Sequence, residues 1–224
     1  MNYAVIKRLI YKDWYLIRWT ILGYLSAGVL AVSCIATGNE RLISVGNILL
    51  LTVVIALGMH VVITTVVGER ATQTLPFLIS LPISTKDYTT AKILANMLIF
   101  LVPWLTLLIA IVGVILGRDS LPDGLIPYTI IIQTELLVSY CFVLATALVS
   151  ESQGWTIGAT LAGNLFFQAF LSYVSQLPGI TATIGLDTIT WNQSAILLLV
   201  GEALAIVVLL VGTFLLQARK TDFI

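Results

Sequence analysis

Three ionisable residues, His60, Glu135 and Glu202, stand inside long apolar runs, and at that depth a charge is a chemical statement. A charged side chain at a bilayer centre costs about 2.5–3.5 kcal/mol on insertion scales, so an intramembrane carboxyl has to be protonated, paired or wetted. Such groups are default candidates for a substrate or proton path. Glu135 lies about seven residues into its run and Glu202 about eight into its own, which puts both about 10–12 Å from the same boundary at 1.5 Å per residue. The competing reading for each is a neutral hydrogen-bonded carboxyl or one hydrated from the interface. His60, the single histidine, lies about 17 residues into its run, nearer the opposite boundary, and reads either as a packing residue or as a proton relay. No H-E-x-x-H, G-x-S-x-G or C-x-x-C motif occurs, and one histidine cannot build a multi-histidine zinc site. No catalytic residue and no metal site is therefore assigned. Cys34 and Cys141 fall inside apolar runs and read as reduced core residues.

The elements that hold these residues are spans. Apolar residues make up 59% of the 224-residue chain and charged residues 10%, with a mean hydropathy of +1.05. Soluble domains carry about 25% charged residues, so the composition describes an integral membrane protein. Formal net charge is zero, which gives no field for nucleic acid. Apolar stretches of span length fall at residues 19–37, 43–67, 93–117, 128–149, 156–175 and 194–217. They run apolar throughout instead of alternating, which selects helices over a barrel. The expected fold is all-α, one six-span domain over residues 1–224. The first run is span-length and five more follow, so it reads as a span and not as a cleaved leader.

Basic residues fix the expected orientation. With the N-terminus inside, Lys7, Arg8, Lys12, Arg18, Arg70, Lys86, Lys92, Arg219 and Lys220 share one side, against Arg41 and Arg118 on the other. Both termini are thus expected in the cytoplasm of a cell-membrane protein. Residues 1–18 place Ile6, Leu9, Ile10, Trp14 and Ile17 at helical spacing, with Lys7, Arg8, Lys12 and Asp13 displaced from them, which predicts a separate amphipathic helix in the interface. It serves either as a topology anchor or as a lever to a cytoplasmic partner. Residues 68–92 form a polar island between the second and third spans. Pro76 and Pro82 bar a continuous helix, Phe77, Leu78, Ile79 and Leu81 make an apolar patch, and Ser84 with Asp87 signals a helix start leading through Tyr88 and Lys92 into the third span. The island is expected outside the hydrocarbon, facing the cytoplasm.

The pattern Glu69-Arg70, then Thr74 to Ser84 (TLPFLISLPIS), then Asp87-Tyr88 and Ala91-Lys92 resembles the loop between spans two and three of ABC-2 type transporter permeases. The six-span plan is similar over the whole chain, and the basic tail at residues 218–223 and the N-terminal stretch look like the ends of such subunits. The resemblance implies a half-size permease that works as two copies, identical or paralogous, beside a separate ATPase subunit. ATP and magnesium would be bound by that partner and no cofactor by this chain, which has no G-x-x-x-x-G-K-[ST] loop. It further implies that Glu69, Arg70, Phe77, Leu78, Ser80, Leu81, Pro82, Lys86 and Asp87 couple the spans to the ATPase, and that the substrate is exported.

Residues 176–193 are mildly apolar, with Pro178, Gly179, Asp187 and Trp191, and read as a segment dipping into the outer interface or as a plain surface loop. The resemblance implies a re-entrant outer gate there. Gly113 with Gly117, and Gly154 with Gly158 and Ala162, are small-residue ridges suited to close helix contact. Membrane lipids and a lipid, peptide or amphiphilic substrate fit the apolar interior. Two alternatives remain open: a proton-coupled transporter using Glu135, Glu202 and His60, and a membrane scaffold or immunity protein.

Overall fold

The computed structural model describes residues 3–71 and 85–219. Helix α1 spans Tyr3–Ala36. Helix α2, Glu40–Val62, continues through a π-helical turn at Ile63–Val67 into the short α3, Gly68–Ala71. Helix α4 spans Thr85–Leu116, α5 Leu125–Ser150, α6 Gln153–Val174, α7 Pro178–Ile184 and α8 Gln193–Ala218. Six helical stretches are long and apolar enough to cross a membrane: Ile6–Ala36, Glu40–Val67, Asp87–Leu116, Leu125–Ser150, Gln153–Val174 and Gln193–Ala218. Among the described residues there is no strand.

Helices α1, α2 and α4 form one packed group, and α5 joins it to α6 and α8, both of which lie on α5. The core sits at the α2–α4–α5 seam. There Phe100 stacks on Tyr140 with ring centroids 3.9 Å apart, and Trp104 donates its indole N–H to Gln133 O at 3.0 Å. Gly46 lets α1 and α2 approach, because a β-carbon there would stand 2.6 Å from Ala31 O. Hydroxyls on the helix exteriors turn back on their own backbone: Ser26, Ser33, Thr52 and Thr106 each donate to the carbonyl four residues earlier, which satisfies these four on an apolar surface. Side-chain oxygens of Asn39 and Asn192 cap α2 and α8 by accepting from Arg41 N and Ala195 N.

One expectation needs correction here. Residues 3–18 are not a separate interfacial helix: they are the first half of the single 34-residue α1, about 51 Å long at 1.5 Å per residue. No proline interrupts it, the first glycine is Gly23, and Ile6 and Leu9 pack with Ala91 of α4. The helix start expected at Ser84 with Asp87 is found: α4 begins at Thr85, carries Asp87 in its first turn and runs on into the third apolar run.

Candidate functional site

The buried stripe of α1 runs Ile6, Leu9, Asp13, Ile17, Ile21, so Asp13 occupies a core position at 1% exposure and is not displaced with Lys7 and Arg8. A lone carboxylate there would be prohibitive, and its partner comes from α4. Lys92 is fully buried and its Nζ lies 2.8 Å from Asp13 Oδ2, 2.8 Å from Glu69 Oε1 and 2.9 Å from Thr65 O. Three acceptors thus meet the three protons of one ammonium. Lys12 donates to Glu69 Oε1 and lies 3.4 Å from Asp13 Oδ1, while Tyr88 donates to Glu69 Oε2 at 3.1 Å. Among the described residues two ammonium groups, Lys12 and Lys92, thus face two carboxylates, Asp13 and Glu69.

The backbone supplies part of the cradle. Thr65 lies in the π-helical turn, where the ladder is re-phased and Gly68 N bonds to Ile63 O, and its carbonyl serves the Lys92 ammonium. Beyond it the polar chain continues: Thr65 donates to Asn96 Oδ1 at 2.8 Å, Asn96 Nδ2 to Lys92 O at 2.9 Å, and the Tyr140 hydroxyl to Asn96 O at 2.9 Å. Burial pushes the Glu69 carboxyl up, but the Lys92 charge and hydrogen bonds from Lys12 and Lys92 outweigh it and hold the group below the ordinary carboxylate value. Chemically the cluster is a lock. It joins α1, the α2–α3 end and α4, and it clasps together the two residues, Glu69 and Lys92, that bracket the polar island. Glu69 and Lys92 are therefore buried within the bundle, where they were expected to face the cytoplasm, because each has an opposite charge at hand.

The other expected coupling residues divide. Asp87 is buried in the first turn of α4. Arg70 lies in α3 and Lys86 in α4 by backbone, with their side chains outside the described residues, and Phe77, Leu78, Ser80, Leu81 and Pro82 lie outside them altogether.

Of the three ionisable residues in apolar runs, two lie buried on helices that pack against each other, Glu135 on α5 and Glu202 on α8. Among the described residues Glu202 has no hydrogen-bond partner on either carboxylate oxygen, and Glu135 Oε1 and Ser139 Oγ have none. Glu135 and Ser139 line a cleft of about 390 Å³ between α5, α6 and α8, walled by Phe142, Ala162, Phe166 and Leu209. His60 is elsewhere: its ring meets Tyr24 of α1 edge-on at 5.9 Å between centroids.

At the opposite end, Pro178 opens α7 and Gly179 O accepts from the Asn192 amide. Ile180 packs with Ile131, Val174 and Ala195, and Gly124 N donates to Leu186 O at 2.8 Å, which seats the segment on α5. A side chain at Gly124 is excluded, since its β-carbon would lie 1.9 Å from Thr183 O. Asp187 borders an open polar hollow with Arg118, Asp119 and Asp123, and Trp191 is exposed.

Sequence reasoning missed Asp13, Thr65, Asn96 and Tyr140 as site residues, and Lys92 entered it through the basic-residue count, the lead into the third span and the 69–92 pattern, not as a site residue. The signals were present: Asp13 is in phase with the apolar stripe, and Lys92 with Asn96 is an i, i+4 polar pair on a helix face otherwise filled by Ala91, Ala95 and Ile99. Comparison with known proteins finds no matching family profile, no matching curated protein and no matching solved structure.

Proposed function

We propose that the chain is the six-span permease subunit of an ATP-driven transporter, with both termini in the cytoplasm and energy supplied by a separate ATPase. The observation that carries this reading is the clasp at Glu69 and Lys92. Transmission of force requires an element whose two ends are fixed to the bodies it moves, and a conformational equilibrium shifts only through contacts that differ between states. With Glu69 and Lys92 joined at 2.8 Å and both tied to α1 through Lys12 and Asp13, a push on residues 72–84 reaches α1, α2 and α4 together. The pattern at residues 69–92 that resembles ABC-2 permeases supports the same reading, as does the basic character of that end of the bundle.

The test is capture of the tagged chain from its own host in mild detergent, with mass spectrometry of what accompanies it. Glu69 is committed to the internal lock, so docking is better probed by Phe77→Ala with Leu81→Ala. An ATPase retained by the native chain and lost from that variant supports the reading; a folded native chain that never retains one overturns it. Proton-coupled transport without an ATPase is favoured by one observation, the pair of unpartnered carboxyls Glu135 and Glu202. Uptake driven by a pH gradient alone, abolished by Glu202→Gln, is its signature.

A further inference from the structure

We infer that the cleft between α5, α6 and α8 is a binding site for an amphiphilic organic cation, its charged head read by Glu135 and its apolar part held by the cleft walls. As a transport site this rests on the permease reading; as a binding site it does not.

Charge defines the head of the ligand. Glu135 and Glu202 are each at least nine-tenths buried, and among the described residues neither has an ion-pair partner, whereas Asp13 and Glu69 of the lock each face lysine ammonium groups. A buried carboxyl that faces a cleft without a partner can ionise there only beside a positive charge. Among the described residues none supplies it at Glu135, so a ligand with a cationic group is the complement.

The walls select the kind of cation. Among the described residues no group of three His, Cys, Asp or Glu side chains is placed to hold a metal ion, and a hard divalent ion needs six or more oxygens. The cleft instead sets Glu135 and Ser139 beside two aromatic rings, Phe142 and Phe166, with Ala162 and Leu209 completing it. Carboxylate plus aromatic faces is the combination that holds an alkylammonium by Coulomb attraction and cation–π contact. The volume, about 390 Å³, is within the range of small-molecule pockets. Helix α6 supplies one wall and α8 the other, both resting on α5, so the site is built where two separately packed helices can part.

The experiment is equilibrium binding of tritiated hexyltrimethylammonium to the full chain in zwitterionic nanodiscs, with empty discs as the partitioning control and the uncharged carbon isostere as competitor. Native protein is expected to bind saturably, and the neutral isostere not to compete. Glu135→Gln, which keeps the shape and removes the charge, is expected to weaken binding at least about tenfold, the equivalent of about 1.4 kcal/mol. Ala162→Phe, which fills the cleft and leaves both carboxyls, is expected to do the same. No saturable binding above empty discs overturns the site. Binding that survives either substitution also overturns it, since the cation would then be read by something other than Glu135 or sit outside the cleft. The assay contains no ATPase: binding without a copurifying ATPase keeps the site and removes the ATP-driven reading, and the reverse result removes the site alone.

Discussion

Replacing Lys92 by Met should be among the most damaging single changes available in the chain, and its cost can be worked from the geometry. The ammonium serves three acceptors, Asp13 Oδ2, Glu69 Oε1 and Thr65 O, at 2.8–2.9 Å. Each hydrogen bond to a charged group contributes about 1.5–3 kcal/mol, but their sum overstates the loss because methionine refills much of the volume. Most of the damage comes from the charges left behind: Asp13 at 1% exposure, with only the more distant Lys12 at 3.4 Å, and Glu69 now held by Lys12 and Tyr88. Removing one partner of a buried pair costs about 3–5 kcal/mol, and that is the expected loss. Asp13→Asn added to Lys92→Met removes the stranded charge and should recover about 1–3 kcal/mol relative to the sum of the two single changes. Equilibrium unfolding in mixed micelles, titrated with SDS and followed by tryptophan fluorescence, measures all three variants. A loss below about 1 kcal/mol for Lys92→Met, or strict additivity in the double variant, would refute the buried lock.

Three further outcomes are expected. Glu202→Leu should raise the unfolding midpoint, by about 1–3 kcal/mol in stability, because two unpartnered buried oxygens are removed; a lower midpoint contradicts their description as unsatisfied. Gly46→Ala should cost about 1–3 kcal/mol by forcing α1 from α2 at the Ala31 carbonyl, and an unchanged midpoint would show the helices are not in that contact. Glu69 is held below the ordinary carboxylate value of 4.5, so its contribution is fully present above that pH and is lost as pH falls through the lowered value. The unfolding midpoint measured downward from pH 6 should therefore drop more steeply in the native chain than in Glu69→Gln; parallel curves would remove Glu69 from the lock.

What could be read from the sequence followed from hydropathy. Long apolar runs found all six helices, and the second, fourth, fifth and sixth agree with the structure to within a few residues. The first was read too short at its start, at 19 against a helix beginning at Tyr3; for the third, whose apolar run starts at 93, the capping signal at Ser84 and Asp87 and not hydropathy marked the start, and α4 begins at Thr85. The reason is that hydropathy treats each charge alone and moves it out of the core. Asp13 and Lys92 are tolerated inside because they neutralise each other across two helices, 79 residues apart in sequence. The depth of Glu135 and Glu202 along their runs could be counted at 1.5 Å per residue, whereas the packing of α8 against α5, which carries the two, is encoded by no single-helix pattern. His60 shows the converse: similar chemistry by sequence, but a helix face turned to Tyr24.

The most direct measurement on the central proposal is ATP hydrolysis by the complex captured with the native chain, in the presence and absence of vanadate. The expected result is vanadate-sensitive hydrolysis that tracks the chain through purification and is lost with Phe77→Ala and Leu81→Ala while the fold persists. A folded, monodisperse native chain that repeatedly carries no hydrolytic activity would contradict an ATP-driven permease.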